Sequence, residues 1–175
     1  MDFRSQTASR STLADTVADA LVIVVAGDAK EQRLAPALAA QLKELMDQGD
    51  FQIKTGRTLY VRGAAGVRAP RLVWAAAADG SAKAFKAAVG HAVGALKQSG
   101  AKHVAVASAA ADALTAEHAE SLVTAVKDAT YVYRHTKPSA PKPGALAKVT
   151  LLADKGEAKA VQAGLARGEA IAAGV

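Results

Sequence analysis

Ala20–Asp28 reads ALVIVVAGD, and this stretch decides the fold. A strand with one wet face alternates apolar and polar residues, whereas an unbroken apolar run is covered on both faces. The run is short, rich in β-branched residues, and stopped by Gly27-Asp28, a turn signal. It therefore predicts a buried strand. Immediately after it, Leu34, Leu38, Leu42 and Leu45 recur by three or four. That spacing predicts a helix over residues 31–48, with Pro36 in the first turns, where a missing N–H is tolerated. Gly49-Asp50 ends it.

The same alternation of strand and helix continues outward. Phe3, Ser5 and Thr7 alternate with polar neighbours and suit a short edge strand. Thr58–Arg62 (TLYVR) and Arg71–Ala77 (RLVWAAA) read as two strands joined by the loop GAAGVRAP. Ser81 is placed to cap a helix over residues 82–98, whose apolar face is Phe85, Val89, Val93 and Leu96. Gly90 and Gly94 in that helix suggest close approach by another element. Lys102–Ala107 (KHVAVA) predicts a further buried strand, and Thr115 caps a helix over 116–128, although His118 stands where a capping box has Glu. Thr130–His135 (TYVYRH) is strand-like, Lys137–Gly144 (KPSAPKPG) is a proline-rich loop, and Ala147–Ala153 (AKVTLLA) is the last strand. The fold class is α/β: a layered domain with a mixed, mostly buried sheet covered by helices.

The chain is one domain of 175 residues, long enough to bury roughly 70% of its unfolded surface. Hydrophobic residues make up 51%, much of it Ala, and aromatics only 4%, so the helices are expected to pack closely with few bulky anchors. No apolar run reaches membrane-spanning length. The first 25 residues do not read as a secretory signal, because Asp2 precedes the basic residues and the apolar run is late and strand-like. The absence of Cys fits a reducing, cytoplasmic setting.

The formal charge of +6 is unevenly placed. Residues 1–50 carry five Lys/Arg against eight Asp/Glu, residues 51–126 nine against four, and residues 127–175 eight against four. The sharpest block lies in 51–78, with Lys54, Arg57, Arg62, Arg68 and Arg71 and no acid. It is either a solvated face or a surface for nucleic acid or an acidic partner. No aromatic platform or nucleic-acid module accompanies it.

Catalytic signatures are missing. His91, His103, His118 and His135 never share a helix face at i, i+4, so no HExxH zinc motif exists. Gly63-Ala-Ala-Gly66 lacks the GK[ST] ending of a phosphate loop and reads as a hairpin loop. Ser108 follows a strand, where α/β proteins place function, but its neighbours are all Ala and nothing nearby activates it. Asp15 and Asp19 read as a solvated turn or cap. The residues therefore assign no catalytic, cofactor-binding or metal-ligating position.

The last stretch is an amphipathic helix. Val161, Leu165, Gly168, Ile171 and Val175 step by three or four, and Val175 continues the stripe rather than closing it. The expectation is a chain cut within a linking helix near residues 155–175, with further sequence downstream.

The stretch Ala163–Val175 (AGLARGEAIAAGV) resembles the end of the N-terminal domain in the leucyl (cytosol) aminopeptidase family, the M17 metallopeptidases. Gly66–Val73 (GVRAPRLV) is similar to that family's surface turn, proline and apolar strand. Tyr131-Val-Tyr133 with Lys137 resembles its aromatic pair followed by Lys. One departure follows Leu72–Ala77, where the family has a Leu-Gly turn and this chain has Ala-Ala-Ala-Asp-Gly. The resemblance implies a macro-domain-like fold and a non-catalytic N-terminal domain spanning residues 1–175, which supports assembly and active-site access. It also implies a catalytic domain in the same chain carrying two divalent metal ions, zinc or manganese, and assembly of the parent as a hexamer. No cofactor falls in this segment. Two alternatives stay open: nucleic-acid binding through the basic surface, and a nucleotide or ADP-ribose binding module. The latter lacks the Asn-rich strand end and Gly-rich phosphate loop that macro domains use, and the chain contains no Asn.

Overall fold

The computed structural model describes residues 1–131 and 145–174. Among the described residues, six strands form one sheet: β1 (Asp2–Thr7), β2 (Ala20–Ala26), β3 (Thr58–Arg62), β4 (Arg71–Ala77), β5 (His103–Ser108) and β6 (Lys148–Ala153). Their order across the sheet is β1-β6-β5-β2-β4-β3. All neighbours are parallel except the β3–β4 hairpin, which is antiparallel and forms one edge. β1 is the other edge. The mixed sheet is as expected from sequence.

β2 lies at the centre, and every residue in it is at most 6% exposed. Its two faces divide by parity. Ala20, Val22, Val24 and Ala26 face a core shared with three helices: α2 (Ala82–Leu96), α3 (Ala116–Thr130) and α4 (Ala158–Ala173). Leu21, Ile23 and Val25 face a second core closed by α1 (Pro36–Asp47), by Leu13 of a 3-10 turn at Arg10–Asp15, and by Phe51. Trp74, fully buried on β4, is the largest side chain of that second layer.

α1 begins at Pro36 rather than near residue 31, because Asp28 and Glu31 form their own capping box around a one-turn 3-10 segment at Ala29–Glu31. α2 is capped by Ser81, whose Oγ accepts the Ala84 N–H at 3.2 Å. The capping box of α3 is completed by His118 in place of Glu: its Nδ1 accepts the Thr115 N–H at 3.1 Å. Its Nε2 donates to the Gly80 carbonyl at 2.9 Å, so the ring fits the neutral Nε2–H tautomer. His118 is buried edge-on against Phe85 and ties the α3 start to the β4–α2 turn.

Three expectations need correction. Thr130 is the last residue of α3 and not strand-like, because the helix bonds continue through it; residues 132–144, including the Pro-rich stretch, lie outside the described residues. Gly90 and Gly94 meet nothing: a Cβ built on either has no heavy atom within 4 Å, and Gly90 lines an open groove between α2 and α3. The close approach occurs instead in α4. A Cβ on Gly164 would overlap the Ala116 backbone, and one on Gly168 would sit 3.1 Å from Val123. The stripe of α4 is also shorter than expected. Val161, Gly164, Leu165 and Gly168 are buried, but Ile171 is 56% exposed.

The glycines of the helix layer thus differ in kind, and substitution separates them. Gly164→Ala is expected to cost about 1–3 kcal/mol by overpacking against α3. Gly90→Ala, in open space within a helix, is expected to gain about 0.5–1 kcal/mol. Urea unfolding of both variants checks the opposite signs.

Candidate functional site at the strand ends

In open α/β sheets, ligands settle at the carboxyl ends of the parallel strands. Here that crest is formed by Gly27-Asp28 after β2, Ser108–Ala111 after β5 and Asp154 after β6. The polar backbone groups in it are taken by the chain's own side chains. Gln32 Nε2 donates to the Ala26 and Asp28 carbonyls at 2.5 and 2.8 Å, while its Oε1 accepts the Ala26 N–H. Arg33 donates its backbone N–H to the Ala109 carbonyl and its guanidinium to that of Ala111. Gly27, at φ +83°, makes the sharp exit from β2 that places Glu31 over the turn.

Beside this lies a buried ion pair. Glu157, the residue before α4, is 7% exposed. Its carboxylate accepts the N–H groups of Leu114 and Asp154. Arg10 approaches it at 3.6 Å and Asp154 at 3.8 Å, and donates to the Ala110 carbonyl at 3.4 Å. Three connections, β1–β2, β5–α3 and β6–α4, therefore meet at one carboxylate. Sequence reasoning missed this group, since a pair separated by nearly the whole chain leaves no spacing signal.

The residues considered for chemistry are scattered. Ser108 is buried, and its Oγ accepts the Ala110 N–H. His103 sits at the opposite, amino end of β5, where Nε2 bonds Thr150 Oγ1 at 2.8 Å. Asp19, also at that end, accepts the N–H groups of Lys102 and His103, both at 2.9 Å. Those two bonds hold its carboxyl below the usual 3.8. Burial pushes the His103 imidazole below 6.5, Lys148 adds to the shift, and Asp19 opposes it. Asp15 ends the 3-10 turn, well separated in role from Asp19. Among the described residues no three His, Asp or Glu side chains could hold a metal ion.

The basic block is divided by the hairpin. Arg62 and Arg71 face each other across the ladder, with Arg68 in the loop between them. Lys54 and Arg57 lie at the other end of β3, Arg57 about 17 Å from Arg62 at strand rise. Arg71 turns aside, donating to the Asp19 carbonyl at 3.2 Å, while Lys54, Arg57, Arg62 and Arg68 are exposed.

Residues 22–139 match the model of the cytosol aminopeptidase family, N-terminal domain. The chain belongs to this family. Along its whole length, the chain is 53% identical to a probable cytosol aminopeptidase of Methylibium petroleiphilum, covering 36% of that protein. It is 31% identical to one of Polaromonas naphthalenivorans, covering 34%. The chain thus spans about a third of the length of the curated relatives it matches. Among solved structures, a mutant tomato leucine aminopeptidase superposes on 99% of the chain and 36% of its own, with a TM-score of 0.74 at 20% identity. That likeness bears on the fold.

Two predictions follow from these strand ends. Glu157→Gln keeps the shape but cannot accept from both N–H groups or neutralise Arg10, so a loss of about 2–4 kcal/mol is expected by chemical denaturation. The amino end governs pH dependence. His103 is held neutral, so its contribution is complete above its ordinary 6.5 and is lost as pH falls through its lower folded value. Asp19 is held ionised, so its contribution persists above 3.8 and is lost as pH falls through its still lower folded value. Denaturation midpoints measured from pH 8 to 3 should decline in two stages, the first flattened by His103→Gln and the second by Asp19→Asn.

Proposed function

We propose that the chain, residues 1–175, is the non-catalytic N-terminal domain of a metal-dependent leucyl aminopeptidase, a hydrolase that releases N-terminal residues from peptides in the cytoplasm. The observation carrying this reading is the family match together with a chain one-third the length of its relatives. The catalytic domain then lies in the remaining two-thirds of such a protein. Two divalent ions held there, zinc or manganese, would polarise the scissile carbonyl and activate water. This domain's own residues do different work. The crest side chains Gln32, Arg33, Arg10 and Glu157 lock the loops at the strand ends, giving a rigid block that shapes access to the active site and supports a hexamer.

No helix of the described residues is long and apolar enough to cross a membrane. The test is direct. The purified chain, supplied with manganese or zinc, is expected to leave leucine p-nitroanilide intact. The same chain continued into a catalytic domain like that of its relatives is expected to hydrolyse it and to sediment as a hexamer. Turnover by the chain alone would overturn the reading.

A further inference from the structure

β3 ends the sheet, and only its β4-facing side is paired among the described residues. The phase of the ladder shows which groups point outward. The Ala76 N–H donates to the Arg57 carbonyl and the Gly63 N–H to the Pro70 carbonyl, both at 2.9 Å. Hydrogen-bonded pairs alternate in an antiparallel ladder, so Leu59 and Val61 also turn their backbone groups to β4. Thr58, Tyr60 and Arg62 turn theirs away from the sheet. Such a row of outward N–H and C=O groups is a template for another strand.

Charge selects the occupant. Arg57 and Arg62 flank the row and are exposed, neither has an ion-pair partner within 4 Å among the described residues, and no acid occurs between Phe51 and Ala78. Tyr60, 39% exposed, stands between them as an amphipathic contact. The opposite edge differs: on β1, Asp2 and Arg4 satisfy each other at 2.7 Å. A second copy is disfavoured at β3, since pairing two such edges gathers the exposed arginines of both strands with no acid between them.

We propose that the outer edge of β3 docks an extended acidic segment of a partner protein, which adds to the sheet as a seventh strand. Main-chain bonds to Thr58, Tyr60 and Arg62 supply the attachment, and Arg57 and Arg62 supply the preference for acid. The contact is short and therefore weak.

The experiment is an amide NMR titration of the 175-residue chain with three blocked peptides: EVEVEVE, KVKVKVK and the interrupted EVEPEVE. The first is expected to shift the Thr58–Arg62 amides and slow exchange of the outward ones, with apparent affinity falling about tenfold on raising salt from low to several hundred millimolar. The other two are expected to leave these amides unchanged. Arg62→Glu, which leaves one arginine against one glutamate at the edge, should erase the preference of EVEVEVE over KVKVKVK. Tyr60→Pro removes one outward N–H without touching the β4-facing bonds, a position where an edge strand tolerates proline, and should abolish binding. If it unfolds the chain, the charge reversal still decides. Equal shifts by acidic and basic peptides, no shift at millimolar peptide, or Arg62→Glu leaving the preference unchanged would overturn the proposal. So would preferential saturation of the same amides by a single-stranded oligonucleotide, or their line-broadening by self-association without peptide.

Discussion

Covering both faces of β2 is the constraint from which the rest of the architecture follows. Ala20–Ala26 offers no polar side chain to water on either face, so each face needs its own layer. Both neighbours of β2, β4 and β5, run parallel to it. Parallel neighbours cannot be joined by tight hairpins, so the chain must cross over between them. α1 and the 3-10 turn at Arg10–Asp15 cover the odd-numbered face and α2, α3 and α4 the even-numbered one. Only at the edges is this relaxed. β3 has no fully buried position, only half-buried and exposed ones, because a single layer partly covers it, and its antiparallel direction allows the short loop to β4.

The composition sets how the helix layer packs. With few aromatics and much Ala, side chains do not hold the helices apart, and backbones come close. α4 meets α3 at Gly164 and Gly168, where a methyl group would strike the Ala116 backbone or crowd Val123. Such contacts gain dispersion along the whole interface but leave no room for adjustment. The polar groups of this layer are fixed as tightly. His118 spends one ring nitrogen on the α3 cap and the other on the Gly80 carbonyl, joining α3 to the turn that starts α2.

What was legible in sequence was whatever repeats locally. The apolar run of β2, the leucines of α1, the Ser81 cap and the β3–β4 hairpin each carry their signal within a few residues. Gly90 and Gly94 misled because a glycine pair marks freedom to approach, not approach itself; the partner that would use it is absent there and present at Gly164. Asp19 reads in sequence as a solvated turn or cap, but the sequence does not show what it caps: the Lys102 and His103 N–H groups at the amino end of β5, eighty-odd residues away. The Arg10–Glu157 pair was invisible for the same reason: its members are brought together only when β1 pairs with β6. The five basic residues 54–71 formed one block in sequence, and the hairpin separated them into two ends.

The crest of the sheet, a customary place for ligands in such folds, has several of its backbone groups already engaged by the chain itself. A phosphate or a substrate carbonyl at strand ends needs unspent backbone N–H groups. In this chain the carboxylate of Glu157 takes two of them, Leu114 and Asp154, and Gln32 takes that of Ala26. Because Glu157 immediately precedes α4, the same bonds fix where α4 starts, while Gly164 and Gly168 fix its line along α3. A helix constrained at its first residue and along one face has little freedom in direction. The groups that would bind a ligand in a site of this kind are used here to aim α4.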